Sequence, residues 1–279
     1  MVHSLQKNNE DDCTLGHKLQ KQLPMNIVLV GAGNLATNLG RAISRSGNQI
    51  VQIYSRTEAS AKALADMLGC TYTTSLDELV KSADLYIIAL KDSVLKEVSE
   101  LLVEGRENNL FVHTAGSIDM DIIPASRRGV FYPMQTFSKQ REVDFEKIPC
   151  FIEAAHDDDR DLLKSLASDI SNSVYELTSE NRKYLHLAAV FCCNFANHCF
   201  RLGEKLLKEH GDIPFEVMLP LVDETARKLH ELTPQEAQTG PAVRWDENVI
   251  SKQMQLLSDT PDLQHIYELL SKSIHHDKL

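Results

Sequence analysis

Residues 27–40, Ile-Val-Leu-Val-Gly-Ala-Gly-Asn-Leu-Ala-Thr-Asn-Leu-Gly, constrain this chain more than any other stretch. The four apolar residues 27–30 describe a strand covered on both faces, which is the habit of a central parallel strand. Gly31, Gly33 and Ala36 then fall at the G-x-G-x-x-(G/A) spacing. In that pattern Gly31 makes the tight turn and Gly33 lets the backbone approach a pyrophosphate. Ala36 lets the helix pack closely on the strand, and the phosphates rest at the helix N-terminus, beside Asn34 and Leu35. Leu35, Leu39, Ala42 and Ile43 are spaced for an amphipathic helix, and residues 49–54 read as a second strand. The glycines therefore stand in the strand–turn–helix context that gives the spacing meaning, and the expected ligand is a dinucleotide.

The second strand ends in Tyr54-Ser55-Arg56-Thr57, with no Asp or Glu to hold a ribose 2′-hydroxyl. Arg56 can meet a 2′-phosphate with a charge-assisted fork, and Ser55 and Thr57 can add hydroxyl donors. The expected cofactor is NADP(H).

At 279 residues the chain most naturally makes two domains, and a net charge of −11 excludes broad attraction to nucleic acid or to an anionic membrane. Six cysteines show no C-x-x-C pair, and no signal peptide is evident, which fits a reduced, cytoplasmic setting. Residues 1–24 are polar and mixed in charge and read as a disordered leader. The long apolar run over 184–200 is interrupted by His186, Asn194, Asn197 and His198, so it reads as a core helix and not a membrane span. No metal site is expected: His275-His276 sits in a polar tail, and no other histidine pair has ligand spacing.

Strands at 70–73, 84–90, 110–113, 130–132, 150–154 and 174–177 alternate with helices at 58–68, 93–102 and 158–170. Such alternation predicts an α/β fold: a Rossmann-type, doubly wound parallel sheet over 25–178. From 179 to 279 only helical segments follow, so an all-helical C-terminal domain is expected. Its first helix is apolar nearly all round between Leu185 and Phe200, and such a helix must be covered on every side. A neighbouring subunit can supply part of that cover, which predicts a homodimer through this domain.

In open α/β sheets ligands bind beyond the carboxyl ends of the strands. Leu90 and Lys91 follow one strand and would flank the nicotinamide end of the cofactor, with Asp92 or Ser93 read as a helix cap. His113-Thr114-Ala115-Gly116-Ser117 follows the next and has small residues that allow close approach of cofactor or substrate; Ser117 reads equally as a cap. Residues 132–137, Tyr-Pro-Met-Gln-Thr-Phe, place Gln135 between aromatic neighbours, either as part of a small-molecule pocket or in a packed junction. On the long helix, at 100° per residue, His186 shares a face with Asn197, and Asn194 lies within one turn of it. His186 is read as a proton donor or as a satisfied core histidine, and Asn194 and Asn197 as orienting a substrate or as interhelical amides. The Gly240-Pro241 turn can aim Thr239 and Arg244 at a substrate carboxylate or phosphate, with Trp245 anchoring the turn.

Residues 31–36, 113–117, 132–137, His186-Leu187-Ala188-Ala189-Val190-Phe191 with Asn194, and 239–244 together resemble a family of bacterial Rossmann-like proteins. Their helical C-terminal half is a domain of unknown function, and they are labelled NADP oxidoreductases. The resemblance covers nearly everything after the leader. The family looks like a relative of pyrroline-5-carboxylate reductase, the deazaflavin-dependent NADP reductases and the β-hydroxyacid dehydrogenases. Those relatives imply hydride transfer beside a Rossmann domain with a helical, usually dimer-forming partner domain, and none of them implies the substrate. The leading expectation is an NADP(H)-dependent reductase, or the reverse dehydrogenase, acting on a small polar carbonyl or imine compound. The dehydrogenase relatives use a lysine on the long helix as proton donor, and this chain has none between Leu185 and Phe200. The rival expectation is a sensor or scaffold that binds NADP(H) without turnover.

Overall fold

The computed structural model describes residues 24–277, and the leader expected over 1–24 lies outside them but for Pro24. The chain divides into two compact units, one ending at Ala188 and the other beginning at Ala189. The division comes inside the long helical run and not before it, because the first turns of that run are bonded to the sheet.

The first unit runs β1 (Asn26–Val30), α1 (Asn34–Arg45), β2 (Gln49–Tyr54), α2 (Glu58–Leu68), β3 (Thr71–Thr73), β4 (Leu85–Ile88), α3 (Asp92–Val103), β5 (Leu110–His113), β6 (Arg128–Pro133), β7 (Cys150–Ala154), α4 (Asp157–Ser168) and β8 (Val174–Glu176). They form one eight-stranded sheet in the order β3-β2-β1-β4-β5-β6-β7-β8. Side chains alternate along each strand, and both alternating sets are apolar. Ile27 and Leu29 of β1 join Leu85, Ile87, Leu110 and Val112 in one core, against Leu39 and Ile43 of α1 and Leu163 and Leu166 of α4. Val28 and Val30 join Tyr86, Ile88 and Phe111 in the other, against Leu95 and Leu102 of α3. This two-sided burial is why the strands read as unbroken apolar runs.

Six strands, β3 through β6 in spatial order, are mutually parallel. The sheet is the mostly parallel, doubly wound one expected, with one departure at β7, which runs antiparallel to β6. Residues 134–149 between them hold only a short 3₁₀ turn, Phe145–Lys147. Without a crossover helix the chain turns back beside β6. Helix α4 then supplies a crossover, and β8 lies parallel to β7.

Helix α5 (Ser179–Ala189) ends the first unit and passes into a six-residue π-helix, Val190–Phe195, then α6 (Ala196–Glu209). The rest of the second unit is α7 (Leu219–Lys228), the short α8 (Pro234–Ala237) and α9 (Pro241–Arg244), α10 (Glu247–Leu256) and α11 (Pro261–His276). Its described residues contain no strand. No described helix is long and apolar enough to cross a membrane.

The expected burial of residues 184–200 as a core helix is not met within the chain. Tyr184 is 71% exposed, Leu187 51%, Phe191 62% and Phe195 51%, while Leu185, Ala189, Val190 and Ala196 are half-buried, so the apolar girth of this helix is only partly covered.

Candidate functional site

Strand β1 lies between β2 and β4, and the chain leaves it in opposite directions across the sheet. This is the switch point where a crevice opens beyond the carboxyl ends of parallel strands. Gly31 makes the turn there with φ +127°, and a Cβ at this position would stand 2.3 Å from the Ala89 carbonyl oxygen. Its N–H donates to the Tyr54 carbonyl at 2.8 Å, so the turn is fastened to both neighbouring strand ends. A leucine at residue 90 borders it, with Leu90 Cδ2 3.4 Å from the same hypothetical Cβ.

The residues present fit a dinucleotide. Gly33 is the extended N-cap of α1; no side chain caps that helix end, and no acidic residue stands in its first turn. A Cβ at Gly33 would meet nothing within 4 Å, so there is open room over the first-turn N–H groups. An uncapped, positively polarised helix end with free space above it suits a phosphate. Asn34 is exposed, Leu35 half-buried and Ala36 buried against the strand. Across the crevice, at the end of β2, Ser55 is half-buried while Arg56 and Thr57 are exposed. Arg56 has no ion-pair partner among the described residues, and Thr57 caps α2 without a side-chain bond. Lys91, exposed, stands at the extended N-cap of α3.

Strand β5 brings a second loop to the same end of the sheet. His113 is fully buried, which corrects its expected place at the cofactor surface. The Ala115 N–H donates to Nδ1 at 3.1 Å, so Nε2 carries the proton and donates to the Asp119 carbonyl at 3.2 Å. Burial, then the charge of Arg182, pushes the ring's pKa down to about 4. Both nitrogens shape the loop over 113–119 and leave none for a ligand. Ser117 donates to the Asp92 carboxylate at 2.9 Å and so ties this loop to the start of α3. Gln135 is exposed, and its Oε1 accepts from the Thr136 N–H at 2.8 Å, closing a local turn.

Helix α5 completes this cluster. Its Arg182 is wholly buried: Nη1 donates to Glu153 of β7 at 2.7 Å, Nε to the Ala115 carbonyl at 3.3 Å, and Nη2 to the Ile118 carbonyl. Ser179 adds its N–H and hydroxyl to the same carboxylate, at 2.8 and 2.6 Å. One turn on, His186 lies against Gly116. A Cβ on Gly116 would stand 2.4 Å from Nδ1 and 2.6 Å from Cγ of that ring. Nδ1 also shares a hydrogen bond with the Tyr132 hydroxyl at 3.0 Å.

Gly31, Gly33, Asn34, Leu35, Ala36, Ser55, Arg56, Thr57, Leu90, Lys91, Ser117, Gln135 and His186 thus all belong to the first unit and follow its strand ends or the helix bonded to them. Asn194, Asn197, Thr239 and Arg244 belong to the second unit and are exposed. The face expected to join His186 to Asn197 is corrected: the π-helix over Val190–Phe195 breaks the 100° count, and Asn194 lies within it. Arg244 ends α9, and the neighbouring Trp245 packs on His275 with ring centroids 5.1 Å apart. Tyr132, Gly116, Glu153 and Arg182 escaped the sequence reading as individual residues. Gly116 carried a signal as a small residue just past a strand, and Tyr132 as an aromatic at the end of another; Glu153 and Arg182 carried none. An arginine in a helix's first turns ordinarily faces solvent.

Residues 26–116 match the family described as NADP oxidoreductase coenzyme F420-dependent, and residues 148–274 match a domain of unknown function, DUF2520. The crystal structure of a putative NADP oxidoreductase from Bacteroides fragilis is 58% identical, with a TM-score of 0.87, over 91% of this chain and 98% of that one. A pyrroline-5-carboxylate reductase from Coxiella burnetii shares the fold at 17% identity and TM-score 0.56, over 92% of this chain and 98% of its own. So does an imine reductase from Myxococcus stipitatus in complex with NADP+, at 14% identity and TM-score 0.61, over 90% of this chain and 92% of its own. No curated protein matches the chain.

The depressed pKa of His113 has a measurable consequence. The unfolded ring takes up its proton near 6.5 and the folded ring only near 4, so between these values protons favour the unfolded chain. The neutral ring's stabilisation is complete above 6.5 and is lost as pH falls toward 4. Between pH 7 and pH 5, wild type should lose about 2 kcal/mol more than a His113→Gln variant in denaturant unfolding. Equal losses in the two proteins would show that the ring is protonated where it lies.

Proposed function

Because this chain belongs to the NADP oxidoreductase family and its cofactor is NADP(H), we propose that it transfers a hydride to or from a small polar carbonyl or imine compound, with His186 as proton donor. The observation that carries this reading is the placement of His186. A histidine ring lies on a glycine of the β5 loop, at the same end of the parallel sheet as the dinucleotide turn. Strands β1 and β5 are separated only by β4, so about 10 Å separates their ends.

Gly31, Gly33, Asn34, Leu35 and Ala36 bind the pyrophosphate through backbone N–H groups and close approach. Ser55, Arg56 and Thr57 receive the 2′-phosphate, while Leu90 and Lys91 lie toward the nicotinamide. NADPH supplies the hydride when bound. What the chain itself adds is orientation and a proton: His186 delivers one to the substrate's oxygen or nitrogen as its carbon is reduced. Ser117 and Gln135 border the substrate on the first unit. Pyrroline-5-carboxylate reductase and imine reductase, which share the fold, are named for imine substrates, and this favours the imine half of the proposal.

Nicotinamide fluorescence on titration with NADPH and NADH, followed by nucleotide oxidation across keto acids, aldehydes and cyclic imines, tests the reading directly. Binding of NADPH with oxidation by at least one compound supports it, and failure across the whole panel counts against it. Arg56→Ala should weaken NADPH binding about tenfold or more and leave NADH unchanged, as expected for loss of a charge-assisted contact to the 2′-phosphate. His186→Ala should lower kcat by about 10²-fold or more with little change in NADPH affinity. Turnover at the wild-type rate would remove His186 from the chemistry.

We also infer that a second copy of the chain covers the helical unit. Phe191 at 62% exposure, Leu221 at 60% and Leu256 at 77% leave apolar surface open that a folded chain ordinarily buries. Sedimentation equilibrium should then return twice the chain mass of 31.4 kDa. A single-chain mass at micromolar concentration would refute the assembly.

A further inference from the structure

The ring of His186 is held on two sides by groups that leave its nitrogens in unequal positions. Gly116 forms the flat side: a Cβ there would fall 2.4 Å from Nδ1, 2.6 Å from Cγ and 3.0 Å from the histidine Cβ, so no other residue admits the ring as it stands. The loop carrying Gly116 cannot retreat, because Arg182, one helical turn before His186, bonds the carbonyls of Ala115 and Ile118 on either side of it. The helix that presents the histidine therefore also fastens the surface it rests on.

Tyr132 forms the other side. Its main chain lies within β6, opposite Phe151 of β7, and its side chain is buried. Its hydroxyl reaches Nδ1 at 3.0 Å, with the two rings edge to face at 6.1 Å and 70°. Among the described residues Nε2 takes part in no hydrogen bond. A phenol is a strong donor and a weak acceptor, whereas the unprotonated nitrogen of a neutral imidazole is among the best acceptors a side chain offers.

We propose that Tyr132 donates to Nδ1, fixes neutral His186 as the Nε2–H tautomer, and returns a proton to the ring when Nε2 gives one up. This rests on the reading of His186 as proton donor and deepens it. A hydride from NADPH reaches the substrate carbon, and the π pair of the C=O or C=N bond becomes a new O–H or N–H bond to the Nε2 proton. The electrons of the broken N–H bond remain in the ring, Nδ1 takes the Tyr132 proton, and the phenolate is reprotonated by water. No imidazolate accumulates. Tyr132 acts through His186 and is a positioning residue.

The tautomer is measurable without any substrate. Long-range ¹⁵N–¹H correlation spectra of the full-length, ¹⁵N-labelled protein at about pH 8.5, above the ordinary imidazole range, distinguish the two ring nitrogens. A His186→Gln variant identifies the signals to follow. The expected result is a proton on Nε2 alone in wild type and loss of that single form in Tyr132→Phe. A proton on Nδ1 in wild type overturns the proposal even where Tyr132→Phe fails to fold, and an unchanged tautomer in a folded Tyr132→Phe overturns it equally. With a compound that the enzyme reduces, Tyr132→Phe should lower kcat at least tenfold and leave NADPH affinity unchanged. It should also turn the two-proton solvent isotope inventory of wild type into a one-proton inventory. A one-proton inventory in wild type overturns the proton return. Absence of turnover across the panel, beside a confirmed Nε2–H form, overturns the reductase reading and not the tautomer.

Discussion

The buried contact between Arg182 and Glu153 is the constraint on which the candidate site depends. A guanidinium with 1% of its side chain exposed lies 2.7 Å from a carboxylate with 14% exposed. Its remaining donors go to the carbonyls of Ala115 and Ile118 and to Ser179. Removing one partner of such a pair strands the other in the interior, at a cost of about 3–5 kcal/mol. Here the pair joins three distant pieces of chain: the end of β7, the loop after β5 and the first turns of α5. Without it neither Gly116 nor His186 has a fixed position.

Two devices at the carboxyl end of the sheet divide the work between them. The glycine turn after β1 needs a backbone conformation and an absent side chain, since Gly31 meets Ala89 and Gly33 opens onto space. The cluster around His186 needs side chains of defined protonation on a rigid surface. His113 serves that surface from below: its burial keeps it neutral, and both its nitrogens hold the loop on which His186 rests. Of these two histidines, one is scaffold and the other faces Tyr132.

The second unit shows where helical periodicity ends as a guide. A six-residue π-helix follows α5 directly, and exposed aromatics Phe191 and Phe195 lie on it, edge to face at 5.0 Å. A wider turn of this kind resets which residues share a face and recurs at functional positions in helices.

The sequence by itself determined the α/β sheet, the helical second half and the dinucleotide turn. Each of those is written in local terms: apolar runs for strands buried on both faces, a 3.6-residue spacing for helices, and glycines at fixed offsets where a turn admits nothing larger. It also carried the absence of an acid after β2 and the arginine in its place. Only the tertiary structure decided the reversal of β7, the burial of His113 and Arg182, and the meeting of Tyr132 with His186, which stand 54 positions apart in the chain. Those depend on which strand ends lie side by side and which carboxylate a buried cation finds. Such pairings arise from long-range packing, to which no local pattern of residues points.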